Sequence, residues 1–65
     1  MIALTKLNNQ AFVVNADLIK YIESTPDTLV TLTTGERLLV KEPSDEVIRR
    51  VVHYGRMLRR LLEPS

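Results

Sequence analysis

The sequence predicts a small α+β fold, an antiparallel sheet of four to five strands followed by one C-terminal amphipathic helix. Short runs of alternating apolar and polar residues, separated by turn residues, indicate strands between about residues 2 and 42. From about residue 45 to 62 the apolar residues recur at helical spacing instead. The length of 65 residues allows one domain, which we expect to cover residues 1–65.

The N-terminal part of the chain is predicted to be a β-hairpin followed by one helical turn. Residues 2–6 alternate and residues 11–14 are apolar, and the Asn8-Asn9 pair between them tolerates left-handed backbone. Asn15 stands just before Asp17, and an Asn cap followed by an early acid predicts a single helical turn after it.

The middle of the chain is predicted to form a three-stranded meander, with strands at 20–23, 28–33 and 36–41. Pro26 fixes φ for a β-turn between the first two strands. Thr34-Gly35 is predicted to be a two-residue connection between the last two, with Gly35 supplying the positive φ that tight hairpin turns need.

The helix is predicted from its start and from its faces. Pro43 ends the last strand, Ser44 is a good N-cap, and Asp45 and Glu46 place negative charge in the first turn. Gly55 lies within the apolar stripe and costs about 1 kcal/mol relative to Ala, which indicates close approach of another backbone. The other members of the stripe are Val47, Ile48, Val51, Val52, Leu58 and Leu62, flanked by Tyr54 and Leu61.

The opposite face of the helix is basic. Residues 49–60 contain five Arg and no acid, although the whole chain has a net charge of only +1. The most frequent interpretation of such a pattern is a solvated face; protein docking comes next, and nucleic-acid binding, with Tyr54 as a stacking candidate, is unlikely in a nearly neutral chain. Our candidate partner-binding residues, called the basic stripe below, are Arg49, His53, Arg56 and Arg60.

No pattern in the sequence indicates catalysis, a cofactor or a metal. The chain has no Cys and a single His, and its carboxylates are scattered over turns and strand ends. We therefore expect a non-enzymatic protein with no cofactor and no metal site, in which His53 is a surface residue. The absence of an 18-residue apolar run and of a secretory signal leads us to expect a cytoplasmic protein without membrane insertion.

Self-association is expected because the core must be thin. Only 5% of the residues are aromatic, and no disulfide can staple the fold. If the helix covers one face of the sheet, Leu29 and Leu39 lie on the other face and are a candidate contact for a homo-oligomer. The alternative is a sheet that curls into a small barrel and buries both faces. The residues expected to face the helix are Val30, Leu32, Leu38 and Val40.

Three stretches carry a family resemblance over roughly residues 1–60: MIALTKLNNQAFVVNADLI, IESTPDTLVTLTTGERLLVKE and SDEVIRRVVHY. The TPDT turn followed by LTTG is the most specific part. On these residues the chain resembles the FlbD family of small flagellar proteins, the SwrD-type swarming-motility proteins. Asn9 departs from the glycine that the family usually has in the first turn, and Lys20 departs from a frequent acid.

The resemblance implies a cytoplasmic, non-enzymatic accessory protein that supports flagellar motor power and swarming through protein contacts. Motor or stator proteins are the implied partners, and the flagellar base is a possible location. The family supplies no catalytic or ligand residues. The alternative is a small RNA- or DNA-binding regulator of flagellar gene expression, since short strands followed by one helix are loosely similar to carbon-storage-regulator proteins.

Overall fold

Five strands, one short 3-10 turn and one long helix build the fold in the computed structural model, which describes residues 1–62. The small α+β class and the order of the elements are as predicted. The helix α1 (Ser44–Leu62) ends the described chain, and the 3-10 turn (Ala16–Leu18) separates the second strand from the third. The strands are β1 (Ile2–Thr5), β2 (Ala11–Val14), β3 (Ile19–Ser24), β4 (Thr28–Leu32) and β5 (Arg37–Val40).

The strands form two antiparallel sheets, whereas the sequence predicted one. The hairpin β1–β2 is the first sheet, and β3, β4 and β5 form the second in that order. The sheets meet at a single bridge between Lys6 and Val40, where the Lys41 N–H donates to Thr5 O at 2.8 Å. Beyond this bridge, side chains described below hydrogen-bond to the outer edge of β1.

Two turns owe their shape to residues in the left-handed region. Asn9 has φ of 71° in the β1–β2 turn, and Gly35 has φ of 95° in the β4–β5 turn, as their residue types predicted. Thr34-Gly35 is not the predicted two-residue connection, however: the Leu32 N–H donates to Glu36 O at 2.8 Å, so three residues, 33–35, lie between this hydrogen-bonded pair, and Glu36 precedes β5. In such loops only the last residue needs a positive φ, so Thr34 is tolerated where a two-residue turn would favour Asn.

Of the two predicted caps, the first is confirmed and the second is shifted by one residue. The Asn15 side chain accepts a hydrogen bond from the Asp17 N–H at 3.1 Å and so caps the 3-10 turn, as predicted. The helix begins one residue earlier than predicted, since the Val47 N–H donates to Pro43 O at 3.1 Å, which gives Pro43 the N-cap position expected for Ser44. The Thr25–Pro26 peptide bond is cis.

The core lies between the two sheets and the first half of the helix. Val30 faces inward as predicted, with Leu38 half-buried beside it, while Leu39 lies on the outer face and is 46% exposed. Helix α1 contacts β1 and β3. The buried apolar residues are Ile2, Leu4, Val14, Ala16, Val30, Leu32, Val40 and Val47.

The helix covers less of the protein than predicted. Of its apolar stripe only Val47 is fully buried, Val51 and Tyr54 are half-buried, and every residue of the range 55–62 is exposed. The reason is length: 19 helical residues extend about 28 Å, whereas strands of four to six residues extend about 13–20 Å. The second half of α1 therefore runs past the sheets, and the described chain measures 43 × 22 × 18 Å.

Candidate partner-binding surface

The basic stripe lies on an exposed face of α1, as the helical spacing predicted. All four of its side chains are exposed, and His53 lies midway between Arg49 and Arg56 along the helix. Spacings of four, three and four residues keep the stripe on one side of the helix over about three turns. The far end of the stripe belongs to the half of α1 that runs past the sheets.

Arg49 differs from the rest of the stripe because it is held by an acid. Its Nε donates to Glu46 Oε1 at 2.9 Å, and its Nη2 donates to Oε2 of the same carboxylate at 2.6 Å. These bonds, with one more from Arg50 Nε, lower the pKa of Glu46 to about 2, and the pairing raises the pKa of Arg49. Within residues 1–62 no carboxylate pairs with Arg56 or Arg60, and both side chains are exposed.

Two adjoining cavities follow the same face of the helix. The first, of about 310 Å³, lies between α1 and the start of β1. The second, of about 190 Å³, lies further along α1 and is bounded by His53, Arg56, Met57 and Arg60. His53 and Met57 line both, and we call the two cavities together the groove, with a mainly apolar end beside β1 and a basic end at Arg56 and Arg60. The first cavity is lined by Met1, Ile2, Ala3, Arg49, Arg50, His53, Tyr54 and Met57.

Arg50, which the sequence analysis did not single out, fastens the helix beside this groove. Its Nη1 donates to Ala3 O at 2.7 Å and lies 3.3 Å from Glu42 Oε2, and its Nε donates to Glu46 Oε2 at 2.7 Å. Glu42 in turn accepts hydrogen bonds from the Thr5 N–H at 2.9 Å and the Thr5 hydroxyl at 2.8 Å. The four-residue spacing between Glu46 and Arg50 predicts their ion pair on a helix. The contacts with β1 join residues 37 to 47 positions apart, so no local sequence pattern predicts them.

Metal-binding clusters and membrane-spanning helices are both absent from residues 1–62. No group of three or more His, Cys, Asp or Glu side chains there could hold a metal ion. No helix among these residues is long and apolar enough to cross a membrane.

Comparison with known proteins identifies the family. The family model of FlbD, described as flagellar and swarming motility proteins, matches residues 1–58. The match includes both sheets, the Arg50 contacts and the basic stripe as far as Arg56. Searches of curated proteins and of solved structures found no match. Because the family model matches well over half of the chain, this protein belongs to the FlbD family of flagellar and swarming motility proteins.

Proposed function

We propose that this chain is a non-enzymatic, cytoplasmic accessory protein that supports flagellar motor power and swarming by binding a motor or stator protein at the flagellar base. Family membership supports the flagellar process. The observation that carries the binding site is the groove along α1, in which the apolar cavity beside β1 adjoins the basic cavity around Arg56 and Arg60.

The groove defines the chemistry of a fitting partner. A cavity of about 310 Å³ accommodates one or two apolar side chains, and buried anchors of this kind contribute most of the affinity of a protein interface. Arg56 and Arg60 are exposed and lie next to that cavity, where they attract carboxylates and speed the encounter with an acidic surface. The proposed partner segment is therefore acidic and carries an apolar anchor residue.

Self-association is the second part of the proposal. Among residues 1–62 eight apolar residues are buried, and two further apolar side chains at the end of the helix, Leu61 and Leu62, are 81% and 76% exposed. A small domain with so thin a core and so much exposed apolar surface gains stability from a second copy.

A swarming assay tests the binding site. In a flagellated strain that lacks its own copy of the gene, the double variant Arg56→Glu/Arg60→Glu should fail to restore swarming, because the basic end of the groove changes sign. The matched control is Lys20→Glu/Arg37→Glu, which changes the net charge equally at two exposed positions on the strands and should restore swarming. Full swarming with the groove variant would contradict a binding role for the basic stripe and would mean that it is a solvated face.

The competing function, binding of RNA or DNA, draws on the same arginines. A fluorescence titration with mixed RNA and DNA oligonucleotides at several salt concentrations separates the two, since phosphate contacts by Z cations give a slope of about −0.7Z to −0.9Z in log K against log salt. We expect no binding at physiological salt. Affinity that falls steeply with salt and is lost in Arg56→Glu/Arg60→Glu would favour the nucleic-acid regulator.

A further inference from the structure

One flank of α1 is exposed and mostly apolar, with Arg59 also lying on it, although it takes no part in the core. Its side chains are Ile48, Val52, Leu58 and Leu62, which are 49%, 45%, 37% and 76% exposed, and Gly55 lies in their middle. We call these five residues the apolar flank. At 100° per residue the centre of the flank lies about 130° around the axis from the centre of the basic stripe, and the two surfaces adjoin at Val52 and Arg56, which are four residues apart.

Gly55 is not required by the fold of a single chain. A Cβ placed on it would meet no atom within 4 Å, and its φ is not positive. Gly in a helix interior costs about 1 kcal/mol relative to Ala, so its presence there needs a reason from outside the described chain. A missing side chain on a helix surface lets a second backbone approach closely.

The spacing of the flank is symmetric about this glycine. Ile48 and Leu62 lie seven residues before and after Gly55, and Val52 and Leu58 lie three residues before and after it. A two-fold symmetric contact requires a self-complementary patch, in which residue i meets residue j of the second copy and j meets i. Two antiparallel copies crossing at Gly55 satisfy this requirement, since Ile48 meets Leu62 of the second copy and Val52 meets Leu58.

The charges at the two ends of α1 favour the antiparallel direction. The first turn contains Asp45 and Glu46, and the last turn contains Arg59 and Arg60. Antiparallel packing brings the acidic end of each helix beside the basic end of the other, and it also aligns the helix dipoles favourably. A parallel pair would place the two arginine-rich ends side by side.

We propose that two copies of this chain associate through the apolar flank as an antiparallel helix pair whose two-fold axis passes Gly55. This names the surface for the self-association included in the proposed function, and it is independent of the flagellar partner because the basic groove stays open. It differs from the sheet contact expected from the sequence, in which Leu29 is half-buried and Leu39 is 46% exposed.

Sedimentation equilibrium at micromolar concentrations tests the dimer. We expect a mass of twice 7.4 kDa for the unmodified chain. Val52→Glu should raise the dissociation constant at least about tenfold, since it places a charge in the centre of the contact. The matched control Leu39→Glu puts the same charge on the sheet face at a residue of equal exposure, 46% against 45%, and should dimerise normally. Thermal melts followed by circular dichroism confirm that each variant folds.

Disulfide trapping tests the direction of the pair without interference, because the chain has no Cys. A mixture of Ile48→Cys and Leu62→Cys chains should give a mixed dimer on oxidation, while neither variant should cross-link with itself. A single species of 7.4 kDa at all concentrations, normal dimerisation of Val52→Glu, or self-cross-linking of each cysteine variant would overturn the proposal. None of these outcomes bears on the swarming assay, so the two proposals fail separately.

Discussion

Glu42 fastens the helix to the first sheet with one carboxylate. It follows β5 and accepts two hydrogen bonds from Thr5 at the open edge of β1, while Arg50 approaches the same carboxylate from the helix. Partial burial by itself raises the pKa of Glu42, but the bonds from the Thr5 N–H and hydroxyl, from its own N–H and from Arg50 bring it below its ordinary value. A charged side chain thus takes the place of a strand neighbour at an edge that would otherwise be open.

Replacing Glu42 with Ala should lower the free energy of unfolding by about 1–3 kcal/mol, because the Thr5 donors lose their acceptor and Arg50 loses one partner. Urea denaturation measures the change. Glu36→Ala is the control: Glu36 is exposed in the β4–β5 loop, and its substitution should stay within about 0.5 kcal/mol. Equal losses of unfolding free energy for the two variants would contradict the role of Glu42 in joining the helix to β1.

Stability should fall in acid through Glu46 and Glu42. The folded pKa of Glu46 is about 2, because of hydrogen bonds from Arg49 and then Arg50, against an ordinary value of 4.5. A carboxyl whose pKa is lowered by folding stabilises the fold above its unfolded pKa and loses that effect as the pH falls through its folded pKa. The midpoint of thermal unfolding should therefore decline between about pH 4.5 and pH 2. Glu46→Gln should have a smaller decline, and an unchanged pH profile would contradict the assignment.

Gly35→Val should damage the fold more than Gly55→Ala. The φ of 95° at Gly35 is strained for a β-branched residue, at a cost of about 1–3 kcal/mol. Gly55 has open space around its Cβ position, so Ala there should stabilise the single chain by up to about 1 kcal/mol through helix propensity. Thermal melts at concentrations too low for self-association compare the two. The opposite order would mean that Gly55 makes a tight contact within one chain.

Helix α1 consists of two segments that differ in their packing. Its first half packs on the sheets through Val47, and its second half extends beyond them. Val47→Ala should cost roughly 2 kcal/mol, about 0.8 kcal/mol for each of the two buried methyl groups plus a cavity term. Leu61→Ala, at a residue that is 81% exposed, should change unfolding by less than about 0.5 kcal/mol. Urea denaturation of both variants measures the loss of unfolding free energy. Equal losses would contradict the distinction between a packed first half and an exposed second half of α1.

Elements with a local signal were predictable, and their arrangement was not. Period-two alternation placed the strands, and Asn15 and Gly35 placed a cap and a turn, because each acts on its own neighbourhood. The basic stripe was visible for the same reason. Amphipathicity could not show that the sheets end before the helix does, and the groove beside β1 depends on the long-range Arg50–Ala3 contact.

The sides of α1 differ in what lies beside them in the molecule. One side packs on the sheets, one carries the basic stripe and groove, and one carries the apolar flank. Since the helix extends past the sheets, the basic groove and the apolar flank are accessible at the same time. A dimer through the flank would present two basic grooves, and two linked sites raise the effective affinity for a partner that is itself present in several copies.

The most direct test of the proposed function is photo-cross-linking in flagellated cells from Met57, which lines both cavities of the groove. A photoreactive amino acid at Met57 should trap a flagellar motor or stator protein, and the product should disappear when Arg56→Glu/Arg60→Glu is added. The same amino acid at Thr31, on a strand away from the groove, is the control and should not trap that protein. Trapping from Thr31 but not from Met57, or trapping of nucleic acid from Met57, would contradict the account.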